Sequence, residues 1–212
     1  MTETFRVDYD ARGRPPCDMF IGRSDEIGRL EKALLPAESG NEKTRIFVIH
    51  GLGGMGKSQL AAKYADMFQK RYSAVFWVDG STKEKYQQQV AELAFRITGA
   101  ERCEYQLDSL FEHVIAWFRK HANDNWLLIV DNVDRDSGEE SSRAYDLYQL
   151  LPLTSHGSIL ITTRDFRLTK KFQSSNVLHL KELNWEDSME LLLKRSEWQG
   201  PVQGTVLTVN CF

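Results

Sequence analysis

Residues 51–58 read Gly-Leu-Gly-Gly-Met-Gly-Lys-Ser, directly after the apolar run Arg45 to His50 and directly before a helix-forming segment. This G-x-x-x-x-G-K-[ST] pattern constrains the fold more than any other stretch, because it requires a strand, a tight loop and a helix in immediate succession. The internal glycines allow positive φ angles, so the backbone can curl its N–H groups around a phosphate at little steric cost. The helix that starts there adds its positive end. Lys57 is then placed to reach the β- and γ-phosphates. The Ser58 hydroxyl can complete the shell of a Mg²⁺ that keeps most of its waters. Glycine-rich turns are common, but the fixed Lys-Ser ending in this context sets the segment apart from an ordinary turn. Gly51, Gly53, Gly54, Met55, Gly56, Lys57 and Ser58 are the candidate phosphate-binding residues.

The rest of the chain supplies the partners such a unit needs. Ile46–Ile49, Ala74–Asp79, Trp126–Asp131, Gly157–Thr163 and the shorter Val177–Leu180 are apolar, β-rich runs of the kind buried on both faces of a sheet. Between them lie helical patterns. Ile27, Leu30 and Leu34 share a face behind Ser24, a good helix cap followed by acids. Tyr86, Val90, Leu93 and Ile97 share another, and Leu107, Phe111, Val114 and Phe118 a third. A helix from about Lys57 to Arg71 follows the loop, and one over Ala144 to Leu151 precedes the fourth strand. Alternating strands and helices imply a parallel sheet covered on both sides, with its ligand at the carboxyl ends of the strands. The Arg12-Gly13-Arg14-Pro15-Pro16 stretch marks residues 1–19 as an extended arm. Asp134 to Arg143 reads as a solvated loop within the domain.

Composition narrows the partners. With 212 residues, 42% hydrophobic, 27% charged and a formal net charge of -3, the chain can bury a real core and lacks the basic surface that holds nucleic acid. No apolar run approaches membrane length and the N-terminus has no signal-like h-region, so a soluble, cytoplasmic protein without membrane contact is expected. Cys17, Cys103 and Cys211 lie far apart with no metal-ligand spacing and read as reduced thiols.

Two further residues belong with the loop. Asp131 ends the apolar run 126–131, which delivers a carboxylate at a strand's carboxyl end, where it can hold a Mg²⁺ shell beside a triphosphate. Any strand can end in Asp, and the weight comes from its pairing with the phosphate loop. Arg164 follows the fourth strand, where a guanidinium could distinguish a triphosphate from a diphosphate. A surface arginine in a loop is the plainer alternative.

Taken in order, these motifs resemble the NB-ARC family of signal-transduction (STAND-class) ATPases, the nucleotide-switch module of plant resistance proteins, animal apoptosome adaptors and many fungal NLR-like receptors. The resemblance is carried by Phe20-Ile21-Gly22-Arg23, by Gly51 to Ser58, by Leu127 to Asp134, by Gly157 to Asp165 (GSILITTRD), and by Leu183-Asn184-Trp185-Glu186-Asp187 opening a last helix. It spans about Phe20 to Ser196. It implies a three-layer αβα P-loop NTPase fold, with a five-stranded parallel sheet in the order 2-3-1-4-5 and a nucleotide-binding domain over residues 20–198. It also implies a regulated switch of the kind used in innate immunity, inactive with ADP, active with ATP, and oligomerising with related domains. Residue by residue, Arg23 would approach the adenine or ribose, Gly53 through Ser58 the phosphates and Mg²⁺, and Gln59 the α-phosphate. Ser58 and Asp131 would hold the metal, and Arg164 would meet the γ-phosphate.

This chain departs from the family pattern in two ways. Asn132 stands where many members carry a second acid that positions the attacking water, and an amide cannot accept that proton at neutral pH. Slow Mg²⁺-dependent ATP hydrolysis at best is the expectation, with Lys57, Asp131 and Arg164 as its catalytic residues. Beyond Trp198 the family's Gly-Leu-Pro-Leu motif is absent, and residues 199–212 read as a divergent tail produced by truncation, splicing or a gene-model error. Three functions stay open: a nucleotide switch with weak ATPase activity, a non-catalytic module stabilised by nucleotide that pairs with full-length relatives, and, with least support, a small-molecule phosphotransferase.

Overall fold

The computed structural model describes residues 19–35, 43–98, 107–134, 146–172 and 176–196. The expected arm and tail, apart from Met19, residues 135–143 of the expected solvated loop and the first two residues of the helix expected over Ala144 to Leu151 lie outside these residues. The elements run α1 (Ser24–Leu34), β1 (Arg45–His50), α2 (Lys57–Phe68), β2 (Ala74–Asp79), α3 (Lys83–Thr98), α4 (Leu107–Arg119), β3 (Trp126–Asp131), α5 (Leu147–Leu150), β4 (Ser158–Thr163), α6 (Phe166–Lys171), β5 (Val177–His179) and α7 (Trp185–Arg195).

All strand pairs are parallel and the sheet order is β2-β3-β4-β1-β5. The five-stranded parallel architecture agrees with expectation, but the order 2-3-1-4-5 does not: β4, not β1, lies beside β3. Burial does not distinguish the two orders, since β4 is interior in both; hydrogen bonding does. Ile159 matches Ile46 of β1 on one side and Leu128 of β3 on the other, and the Thr162 and Thr163 hydroxyls bond the Asp131 carboxylate and the Val133 carbonyl, holding β4 against β3.

Strand alternation divides the core into two layers. Phe76, Val78, Leu128, Val130, Ile159 and Ile161 face Tyr86 and Val90 of α3, Phe111 and Phe118 of α4, Leu147 and Leu168. Phe47, Ile49, Val75, Trp77, Leu127, Ile129 and Leu160 face Leu30 and Leu34 of α1 and Leu60, Ala61 and Tyr64 of α2. The helical faces read from spacing are therefore the buried ones, except that Leu107 is 45% exposed at the start of α4. Two local expectations change. Arg23, not Ser24, occupies the cap position of α1, in a left-handed conformation (φ 65°) and with no side-chain cap. The helix before β4 is short, and Asp146 caps it by accepting the Tyr148 N–H.

Two contacts at opposite ends of the sheet have measurable consequences. Before β4, Gly157 has φ 76°, and a Cβ there would fall 2.2 Å from the Trp126 ring, itself fully buried. After β1, the His50 ring stacks against His179 at 4.6 Å and Phe166 at 5.3 Å between centroids. Its Nδ1 is buried without a hydrogen-bond partner among the described residues. Burial, then His179 and Lys57, push the His50 imidazole below its ordinary range, with Asp165 opposing them.

Gly157→Ala combines left-handed strain with overpacking and should lower stability by about 2–4 kcal/mol, read as a shift in the urea midpoint. His50 predicts a pH slope. A base whose folded pKa is depressed contributes stability that is complete above its unfolded pKa, about 6.5, and is lost as pH falls from there toward the folded value. The urea midpoint should therefore fall between about pH 7.5 and 5.5, and His50→Asn should flatten that slope. The hydrogen bonds from Arg167 that hold the Asp165 carboxyl below its usual range act in a separate window, below about pH 4.

Candidate functional site

The loop between β1 and α2 is the centre of the site. Gly54 and Gly56 have φ of 80° and 87°, and a Cβ at Gly51 would lie 2.6 Å from the Leu180 carbonyl oxygen. Glycine is thus required here both for the turn and for the approach of the β5 exit. Gly56 is the cap of α2 and offers no side chain, so the first-turn N–H groups have no side-chain acceptor there. That is the arrangement in which a helix N-terminus receives an anion.

Lys57 is 9% exposed, and its ammonium donates to the carbonyls of Gly51 and Leu52, each at 2.8 Å. Burial lowers its pKa, Asp134 is the strongest opposing influence, Arg164 adds to the lowering, and Asp131 opposes it. Ser58 Oγ donates to Asp131 Oδ1 at 2.8 Å, so the two candidate metal ligands are in direct contact. The Thr162 hydroxyl donates to the same carboxylate oxygen and accepts the Asn132 N–H at 2.9 Å. Asn132 itself is in a left-handed conformation, φ 67°, with an exposed side chain.

Among the described residues no group of three or more His, Cys, Asp or Glu side chains could hold a metal by itself. One hydroxyl touching one carboxylate suits a hard cation that takes its remaining ligands from water and phosphate, as Mg²⁺ does.

Arg164 leaves β4 on the same side. Its N–H donates to Asp134 Oδ1 at 2.9 Å and its Nε pairs with Asp134 Oδ2 at 3.1 Å. Its guanidinium lies 3.6 Å from the position a Cβ on Gly53 would take. Lys57, Ser58, Asp131 and Arg164 are thus gathered at one end of the sheet. Met55 is half-buried, and the Gln59 amide folds back over Gly56.

Arg23 sits at a second junction. Its guanidinium donates to the Lys181 carbonyl at 2.7 Å and the Met55 carbonyl at 3.4 Å, and pairs with Glu26 at 3.0 Å. It ties the segment before α1 to the phosphate loop and to the β5 exit. Beside it opens a cleft of about 600 Å³ between Gly22, Arg23 and Arg29 on one wall and His179, Lys181, Leu183, Asn184 and Asp187 on the other. Asp187 crosses closely over Gly22, where a Cβ would lie 2.1 Å from its carboxylate. Asn184 caps α7 by accepting the Asp187 N–H at 2.7 Å.

Thr162 is the part of the site that sequence reasoning passes over; Asp134 is weighed there only as a stand-in for the acid missing at Asn132, and its pairing with Arg164 is new. The signal was present, since Thr162 and Thr163 are polar residues closing an otherwise apolar strand, buried to 1% and 0%. A buried hydroxyl needs a partner.

Known proteins place this geometry. The P-loop NTPase fold is shared with Cdc6p from Pyrobaculum aerophilum, TM-score 0.58 at 14% identity, covering 90% of this chain and 54% of that one. The ADP form of the ORC2 protein from Aeropyrum pernix gives a TM-score of 0.60 at 19% identity, covering 89% and 55%. In sequence, a nucleotide-binding leucine-rich repeat (NLR)-like protein of Hyaloscypha variabilis is 29% identical over 187 residues, 82% of this chain and 18% of that protein. A putative disease resistance RPP13-like protein 3 of Arabidopsis thaliana is 27% identical over 199 residues, 87% of this chain and 22% of its own length. The chain therefore spans about a fifth of the sequence relatives it matches. No described helix is long and apolar enough to cross a membrane. The NB-ARC domain profile matches residues 23–200, through the phosphate loop, the Asp131 strand and the Arg164 strand alike, and the chain belongs to that family.

Proposed function

We infer that this chain is an ADP/ATP-binding switch domain, that residues 20–198 form its nucleotide-binding unit, and that it turns ATP over slowly if at all. One observation carries the reading: Lys57, the Ser58–Asp131 pair and Arg164 converge on a glycine loop whose helix has no side-chain cap. The loop N–H groups and Lys57 would receive the phosphates, and Ser58 and Asp131 would hold Mg²⁺, which supplies charge neutralisation at the β- and γ-phosphates. Arg164 would meet the terminal phosphate. The cleft beside Arg23 is large enough for a base and sugar, and the ADP-form ORC2 structure supports an adenine nucleotide as the occupant. NLR-like relatives support a cytoplasmic signalling context and assembly with related domains.

Slow turnover follows from the residues beyond Asp131. The amide of Asn132 cannot take a proton, and the Asp134 carboxylate is engaged by Arg164. The same facts favour a second reading, a non-catalytic module that binds nucleotide for stability and pairs with related domains. The apolar surface of α7, with Trp185 74% and Leu192 64% exposed, gives such pairing a place to occur.

ADP or ATP with Mg²⁺ at about a hundredfold its Kd should stabilise the chain by roughly 2.7 kcal/mol, seen as a rise in Tm. Lys57→Ala should abolish that rise, and no rise in the unsubstituted chain would sink the nucleotide reading. Single-turnover measurements should give hydrolysis well below the 1–100 s⁻¹ typical of kinases, at about 10⁻² s⁻¹ or slower. A fast phase that survives Asp134→Ala would overturn the account of Asn132.

A further inference from the structure

Asp134 lies just beyond Asp131, in the segment that leaves β3. Its two carboxylate oxygens take the N–H and the Nε–H of Arg164, at 2.9 Å and 3.1 Å, forming a chelate around a single residue. The segment carrying this carboxylate is stapled to β4. The Asn132 N–H donates to Thr162 Oγ1 and the Val133 N–H to the Thr162 carbonyl, both at 2.9 Å, while the Thr163 hydroxyl donates to the Val133 carbonyl. Asp134 is therefore held to the strand from which Arg164 emerges.

The Arg164 side chain is 61% exposed. Without a partner, such a side chain distributes over many rotamers, and ordering it on binding would cost affinity. A carboxylate gripping Nε selects the rotamers that lay the guanidinium over Gly53, where it is found. Competition with a phosphate is not inherent in this grip, because a guanidinium has five N–H donors and Asp134 uses its Nε edge.

We propose that Asp134 is a positioning residue: by holding Nε it aims the Nη groups of Arg164 across Gly53, ready for the terminal phosphate of a nucleoside triphosphate. This rests on the nucleotide-binding reading above. It adds that preference for triphosphate over diphosphate depends on an acid that acts through Arg164.

The test is a calorimetric titration of the full chain with Mg²⁺-ATP and with Mg²⁺-ADP. Asp134→Asn leaves one acceptor oxygen where the carboxylate uses two, so it cannot hold the N–H and the Nε–H in the same chelate, and Asp134→Ala removes both acceptors. Both variants should bind ATP at least about tenfold more weakly while ADP affinity holds, the loss expected for a charge-assisted pair. Arg164→Ala should weaken ATP binding by a similar factor, and the Asp134→Ala/Arg164→Ala double variant should lose no more than either alone. A wild-type ATP/ADP ratio in the Asp134 variants, tighter ATP binding, equal losses for both nucleotides, or additive loss in the double variant would each overturn the proposal. Failure of the unsubstituted chain to bind ADP is a different result, and it would remove the nucleotide reading together with this one.

Discussion

The contacts that gather Asp131, Asp134 and Arg164 depend on β4 being paired along both edges. Its six residues are all buried, and its parallel registers with β1 and β3 bring three strand ends to one level. Adjacent strands lie about 4.8 Å apart, so the strand carrying Asp131 stands two spacings from the strand that feeds the phosphate loop. That distance is too wide for a bare carboxylate to define its own position. Thr162 fills the interval: its hydroxyl donates to Asp131 and accepts from Asn132, so the strand between the two motifs also carries the group that orients one of them. Ser58 then reaches Asp131 from the far side.

The layered architecture is legible in the amino-acid sequence because burial has a period. Leu30, Val90, Phe111 and their neighbours repeat at helical spacing and lie on the buried faces, and the five apolar runs are the five strands. Strand order is a different kind of information. An apolar run states that both faces are covered but not which strands are neighbours, so the placement of β4 beside β3 had no local signature. The cap of α1 was hidden for a similar reason. Ser24 has the right side chain for an N-cap, but the chain enters the helix through Gly22 and Arg23, both with positive φ, and tertiary bonds from the Arg23 guanidinium hold that bend.

The site itself divides along the same line. Lys57, Ser58 and Asp131 could be located because motif spacing fixes them on the backbone. Partnerships between side chains from distant segments could not. Arg164 was legible as a residue at the right edge, yet its pairing with Asp134 depends on the β3 exit being stapled to β4, a consequence of the unforeseen strand order. The role of Arg23 in joining Met55 to Lys181 likewise needs the β5 exit to lie against Gly51, which the glycine makes possible and which no single segment announces.

Charge around the loop gives these contacts a common logic. Lys57 is buried, and that desolvation weakens an ammonium's hold on its proton, while the two carbonyls that accept from it favour the charged form. Asp134 and Asp131 offset that desolvation, while Arg164 adds positive charge on the opposite side. A phosphate entering this arrangement would meet Lys57 and Arg164 with Asp134 beside them. Asn132 offers no proton acceptor and Asp134 is engaged by Arg164, which is why the role we propose is to hold phosphates rather than to activate water.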